Sequence, residues 1–206
     1  TDCFLNRIRS RLPGGERVYV KVGHDFSYAK WIAGLRAGRS FVSNGPMLAL
    51  AVDGKEIGDT VQLAQAGEVR IEAQATAQFP LEKVEVLFNG AVIASGKLGK
   101  DRLSATIEKR IKLDRSGWLA LRASGPGHPD HPVGSQYAHT SPIYNQVGDD
   151  PAGSKADAEY FLKWIDRLSL AVRVRDRIPS PELKERVRAQ FERARAVYTK
   201  IARQAE

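Results

Sequence analysis

The chain has 206 residues, 42% of them hydrophobic and 27% charged, with a formal net charge of +8. That is enough apolar material for one large core or two small ones. It holds no run of about 18 apolar residues, so no spanning helix and no membrane partner are expected. A lone cysteine, Cys3, excludes an internal disulfide framework and a multi-cysteine zinc site. Residues 1–50 carry 8 basic and 3 acidic groups, 51–154 carry 11 and 13, and 155–206 carry 13 and 8, giving +5, −2 and +5. The C-terminal basic residues alternate with Asp and Glu, as on a solvated helix surface, so no nucleic-acid partner is expected.

Residues 1–46 read as helix, strand, helix, strand. Phe4, Leu5 and Ile8 suggest a short helix or turn, Pro13-Gly14-Gly15 a loop, and 18–22 a strand. Ser27 is placed to cap a helix whose apolar stripe is Tyr28, Trp31, Ile32 and Leu35, and Gly38 suits a left-handed C-terminal residue. Residues 40–43 form a short buried strand, ended by the turn Asn44-Gly45-Pro46. This α/β pattern has too few strands to close a barrel, so the segment reads as the end of a larger domain. His24 lies between strand end and helix cap, where either a site residue or a plain surface histidine sits. Arg39 and Asn44 flank the short strand. They are placed to bind an anionic or carbonyl group, or to satisfy backbone groups.

Residues 47–148 change character. Strict apolar–polar alternation marks strands at 68–75 and 83–88, and short apolar or mixed runs mark others at 47–52, 91–94, 104–111, 117–123 and 138–144, with a brief one near 61–63. Asn89-Gly90 between two apolar runs is the strongest hairpin signal in the chain. Strands at this spacing, with no helix between them, predict an antiparallel sandwich of immunoglobulin-like type, with Trp118 on a core face. The Pro- and Gly-rich loop 124–134 carries His128, Asp130 and His131, types that suit zinc or another first-row metal, on a stretch expected to be long and exposed. His139 follows on the next strand.

Residues 149–206 comprise a linker and two helices. Ser154 caps the first, whose apolar residues are Ala158, Phe161, Leu162, Ile165, Leu168 and Val172. Ser180 and Pro181 open the second, with Leu183, Val187, Phe191, Ala194, Tyr198 and Ile201. Joined by a short loop they predict an antiparallel helical hairpin, which needs the rest of the chain or another copy to cover its stripes; a homo-oligomer through the hairpin is one outcome.

The stretch "SYAKWIAGLRAGRSFVSNGPML", with "RVYVKV" upstream and "AHTSPIY" downstream, resembles the C-terminal part of the PHP-type metallohydrolases of the carbaryl-hydrolase group. The resemblance covers residues 1–53 well and the rest loosely. It implies metal-dependent hydrolases built on a distorted β/α barrel. Thr1-Asp2-Cys3-Phe4 stands where the family has "TDA" and an aromatic residue, so the resemblance makes Asp2 the last metal ligand of a cluster completed upstream. His24 departs from the family's turn. Arg39, Asn44, His24 and His139 are the candidate substrate-side residues.

The expectation is thus a mainly β chain with α. It has terminal α/β elements of a hydrolase domain at 1–46, a β-sandwich at 47–148, and a linker and helical hairpin at 149–206. The chain begins in mid-motif without an initiator Met, as a C-terminal fragment would. Its partner would be a missing N-terminal hydrolase domain. A divalent metal (zinc, manganese or iron) is expected in the full-length parent, and none in the isolated chain, which is expected to be inactive. The alternative is a non-catalytic β-sandwich module that binds carbohydrate or protein through the His-Pro loop.

Overall fold

A computed structural model describes residues 3–6, 12–131, 133–150 and 153–205. In chain order the elements are β1 (Arg17–Val20), α1 (Tyr28–Arg36), β2 (Ser40–Ser43), β3 (Met47–Val52), β4 (Lys55–Glu56), β5 (Thr60–Leu63), β6 (Gly67–Thr76), β7 (Lys83–Phe88), β8 (Ala91–Ser95), β9 (Lys97–Leu98), β10 (Ser104–Leu113), β11 (Gly117–Gly127), β12 (Ser135–Thr140), β13 (Ile143–Val147), α2 (Lys155–Arg175) and α3 (Pro181–Gln204). Two compact units meet in the chain between residues 150 and 151.

In β6, Val69, Ile71, Ala73 and Ala75 are buried while Glu68, Arg70, Glu72 and Gln74 are exposed. This is the period-two signature of a sheet with one wet face. β6 is central to a five-stranded antiparallel sheet ordered β4-β3-β6-β10-β9. The other sheet has eight strands. Its path runs β1-β2-β12-β11-β13-β5, and β7, carrying β8, lies on the opposite edge of β11. Leu50, Val52 and Ile71 of the first sheet and Val86, Leu121 and Ile143 of the second belong to one apolar cluster. Each such side chain contributes roughly 1.5–3 kcal/mol on burial. The fold is therefore mainly β, with three helices among the described residues, and neither sheet closes into a barrel.

The structure corrects several details. β1 and β2 run antiparallel, with Arg17 opposite Ser43 and Val20 opposite Ser40, so they are not the parallel strands of a β/α-barrel unit. β2 continues onto β12 (Val42 opposite His139), which places the first segment in the same sheet as the later strands. The sheet is not wholly antiparallel, because β5 lies parallel to β13. The strand expected at 138–144 is two strands, broken at Ser141-Pro142, since Pro142 has no N–H for a ladder. Trp118 is half-buried on the face opposite Leu119 and Leu121 and lies outside the core cluster.

The turns follow their sequences. Asn89 and Gly90 take φ 48° and 86°, and Asp53 and Gly54 take 47° and 74°, the left-handed pairs of two-residue hairpins. α1 starts where Ser27 Oγ accepts from Lys30 N–H at 3.2 Å. It ends with Arg39 N–H on Gly34 O (2.9 Å) and Gly38 N–H on Leu35 O (3.1 Å), Gly38 being left-handed at φ 71°.

In the second unit, Ser154 Oγ caps α2 through Asp157 N–H (3.2 Å), Ser180 Oγ caps α3 through Leu183 N–H (3.1 Å), and Pro181 opens α3. Phe161 stacks on Tyr198 with ring centroids 5.0 Å apart. A hydrogen bond from Arg188 to Glu192, with Glu185 nearby, raises the Arg188 pKa above its ordinary value.

Gly58 joins three parts of the first unit. Its N–H donates to Pro142 O at 2.9 Å, and a Cβ on it would lie 2.8 Å from the carbonyl carbon of Gly38, with φ at +87°. Gly54, at φ +74°, faces open space. Gly54→Ala is expected to cost about 1–2 kcal/mol from backbone strain alone. Gly58→Ala is expected to cost at least about 3 kcal/mol because backbone must also move. Urea unfolding midpoints of the two variants measure the difference.

Candidate functional site

The turn after β2 is built by short polar side chains. Ser43 Oγ accepts from Gly45 N–H at 2.9 Å and donates to Pro46 O at 2.6 Å, which folds the chain back into β3. Asn44 is then held beside β12. Its Oδ1 accepts from Tyr137 N–H at 2.7 Å, its Nδ2 donates to Ser135 O at 2.8 Å, and its own N–H donates to Tyr137 O at 3.1 Å. The side chain imitates a strand residue and pairs with backbone that would otherwise be orphaned. Of the two sequence readings of Asn44, these bonds are those of the backbone-satisfying one.

His131 closes the other side. It is buried, and both ring nitrogens face carbonyl oxygens: Nδ1 lies 2.7 Å from Gly134 O and Nε2 2.9 Å from Asn44 O. Both nitrogens are thus engaged with backbone. His128 stacks on Phe79 at 4.5 Å, and Phe79 meets the His131 ring edgewise at 5.4 Å. His128 Nδ1 accepts from Asp130 N–H at 3.2 Å, and the Asp130 carboxylate, 3.7 Å from the same nitrogen, is largely exposed. The loop expected to be exposed is therefore anchored at its histidines. Among the described residues, no three His, Cys, Asp or Glu side chains are grouped to hold a metal ion.

Between the Asn44 turn and this loop lies a cleft of ≈ 420 Å³, lined by Arg17, Tyr19, Asn44, Phe79, His131 and Gln136 among others. Gln136 is 1% exposed; its Nε2 donates to Pro80 O at 3.0 Å, and its Oε1 has no hydrogen-bond partner among the described residues. The cleft offers ring faces, a guanidinium and amide edges, the means of stacking on and orienting a small polar group.

The remaining candidates lie elsewhere. Arg39 is at the opposite end of β2 from Asn44, about 17 Å away at the rise of a strand. It sits 3.9 Å from Asp59 and lines a neighbouring groove of ≈ 630 Å³ with Lys21, Phe41 and Glu56, which shares Tyr19 and Met47 with the cleft. His139 is exposed between Val42 and Arg122, on the face of β12 opposite Gln136. His24 is exposed in the bend before α1. Asp2 lies outside the described residues. The structure thus brings together Asn44, Asp130 and His131, and leaves Arg39, His24 and His139 apart.

Sequence reasoning missed Phe79, Tyr19 and Gln136. Gln136 carried a faint signal: a polar residue sharing its phase with Ala138 and Thr140. No protein-family model, curated protein or solved structure matches the chain.

Asn44→Ala leaves Tyr137 N–H and Ser135 C=O without their partner. Both bonds are part-buried, so at about 1–2 kcal/mol for each group the expected loss is about 2–4 kcal/mol. Thermal and urea unfolding check the size. Faster amide exchange confined to residues 131–137 and the β2–β3 turn checks the location.

Proposed function

We propose that the chain is the C-terminal, structural and site-completing part of a metal-dependent hydrolase of the PHP type, acting on ester, amide or phosphoester bonds. The observation that carries this reading is an adjacency. The three stretches that bear the resemblance, "RVYVKV", "SFVSNGP" and "AHTSPIY", contribute β1, β2 and β12, which are successive neighbours in one sheet. The third lies about 90 residues beyond the second, yet the three form one continuous piece, as a shared structural unit requires.

We read the sandwich itself as immunoglobulin-like. Support comes from the strand order β3-β6-β10-β9 in one sheet and β8-β7-β11-β12/β13 in the other, with β5 parallel to β13 at the rim. On this reading the metal site belongs to the catalytic domain and this chain supplies Asp2 to it. A bound divalent ion there lowers the pKa of water and polarises the scissile oxygen. The β1–α1–β2 segment joins the sandwich through the pairing of β2 with β12.

A second reading is favoured by the cleft at Asn44. Phe79 and Tyr19 beside Arg17 suit a non-catalytic module that binds carbohydrate or protein.

The coding sequence upstream of Thr1 separates the two. A frame encoding His-x-His and further His and Asp clusters is expected, and an unrelated domain overturns the hydrolase reading. In the full-length protein, Asp2→Ala should lower metal content and hydrolysis of p-nitrophenyl esters or phosphodiesters by at least about 100-fold, since even outer-shell changes cost about 10–100-fold. Phe79→Ala should leave that activity within about 3-fold; a larger loss, with metal retained, moves the active cleft to Phe79.

A further inference from the structure

α2 has two apolar stripes, and the hairpin covers one of them and only the edge of the other. Ile165, Ser169 and Val172 share a groove with Val187 and Phe191 of α3. A second stripe runs beside it: Asp157, Phe161, Trp164, Leu168, Ala171 and Arg175 step by 4, 3, 4, 3 and 4, the spacing of a coiled-coil seam. Most of this stripe faces water, although Phe161 also stacks one ring face on Tyr198 of α3. Phe161 is 44% exposed, Trp164 42% and Leu168 50%, with Tyr160 (56%) and Val174 (74%) along its flank. With aromatic side chains of about 150–250 Å² each, the stripe and its flank leave roughly 350 Å² of apolar surface in water, comparable to the largest patch on a monomer, which is often functional.

We propose that this seam pairs with the same seam of a second copy of the chain, antiparallel about a two-fold axis between Trp164 and Leu168. The charges at its ends select this partner and this direction. The antiparallel arrangement sets Asp157 against Arg175 of the partner subunit at both ends. It also sets Trp164 against the partner's Leu168, and Phe161 against the partner's Ala171. A two-fold contact must be self-complementary in this way, whereas a parallel pairing would set Asp157 on its own copy and Arg175 on its own copy. Tyr160 and the partner's Val174 lie alongside and extend the apolar contact. Arg167 flanks the axis, where its own copy is the one unfavourable neighbour. Its guanidinium lies 5.9 Å from the Trp164 ring centroid, a partner within its own helix. The seam is short, so the dimer is concentration-dependent.

Sedimentation equilibrium of the 206-residue chain is expected to show a monomer–dimer equilibrium. Trp164→Glu should weaken the dimer at least about 30-fold, as loss of a central aromatic anchor does, with helix content by circular dichroism unchanged. Should that variant lose helix, Leu168→Lys gives the same readout. Arg175→Asp should weaken the dimer about 10-fold, and Asp157→Arg with Arg175→Asp should restore it. A chain that stays monomeric up to about 1 mM overturns the proposal. So does a helical Trp164→Glu or Leu168→Lys variant that dimerises as before, or a double exchange that fails to recover what the single one lost.

Discussion

Strand β11 is the constraint from which the larger sheet is laid out. It is laddered on both edges, by β7 on one side and by β12 and β13 end to end on the other. Its core side is buried throughout by Leu119, Leu121 and Ala123, and Ala120 is fully covered on the other face. A strand in that position has no freedom to slip. A shift by one residue would move Leu119, Leu121 and Ala123 from the core side to the other, and Arg122 into the core. Everything beyond it inherits its placement: β12 fixes β2, β2 fixes β1, and β13 fixes β5. The Asn44 clasp acts at the end of this chain of dependence, where the ladder between β2 and β12 runs out and a side chain takes over from backbone.

Much of the architecture was legible because the signals were local. The alternation in 67–76, the Asn89-Gly90 turn, the Ser27, Ser154 and Ser180 caps and Pro181 at the head of α3 each act within a few residues. What failed depended on partners remote in sequence. Nothing in "TVQL" says that it will lie parallel to a strand some 80 residues later, and nothing in "RVYV" says that its neighbour will be antiparallel. Trp118 misled for a related reason. An indole in a strand invites a core assignment, but Leu119 and Leu121 hold the core side of β11, so its phase sends Trp118 to the other face.

The candidate site shows the same division. His128, Asp130 and His131 were conspicuous by type, yet their roles come from Phe79, about 50 residues earlier, and from the carbonyl of Asn44, 87 residues from His131. Residue chemistry named ligand-capable groups. Geometry turned the His131 nitrogens toward carbonyl oxygens and gave both histidines a ring to pack on. Arg39 and Asn44 looked like a pair because they flank one short strand, but a strand separates its two ends rather than joining them.

The parallel pairing of β5 with β13 also bears on how the first unit meets force. Tension entering from residue 148 onward draws β13 along its own axis, past β5 on one edge and β11 on the other. The hydrogen bonds of Tyr144–Val147 with Thr60–Leu63 are then strained together, in shear, rather than parted one after another. A strand held in this way resists pulling as a set. Four paired residues along β13 thus share a load applied from the C-terminal side.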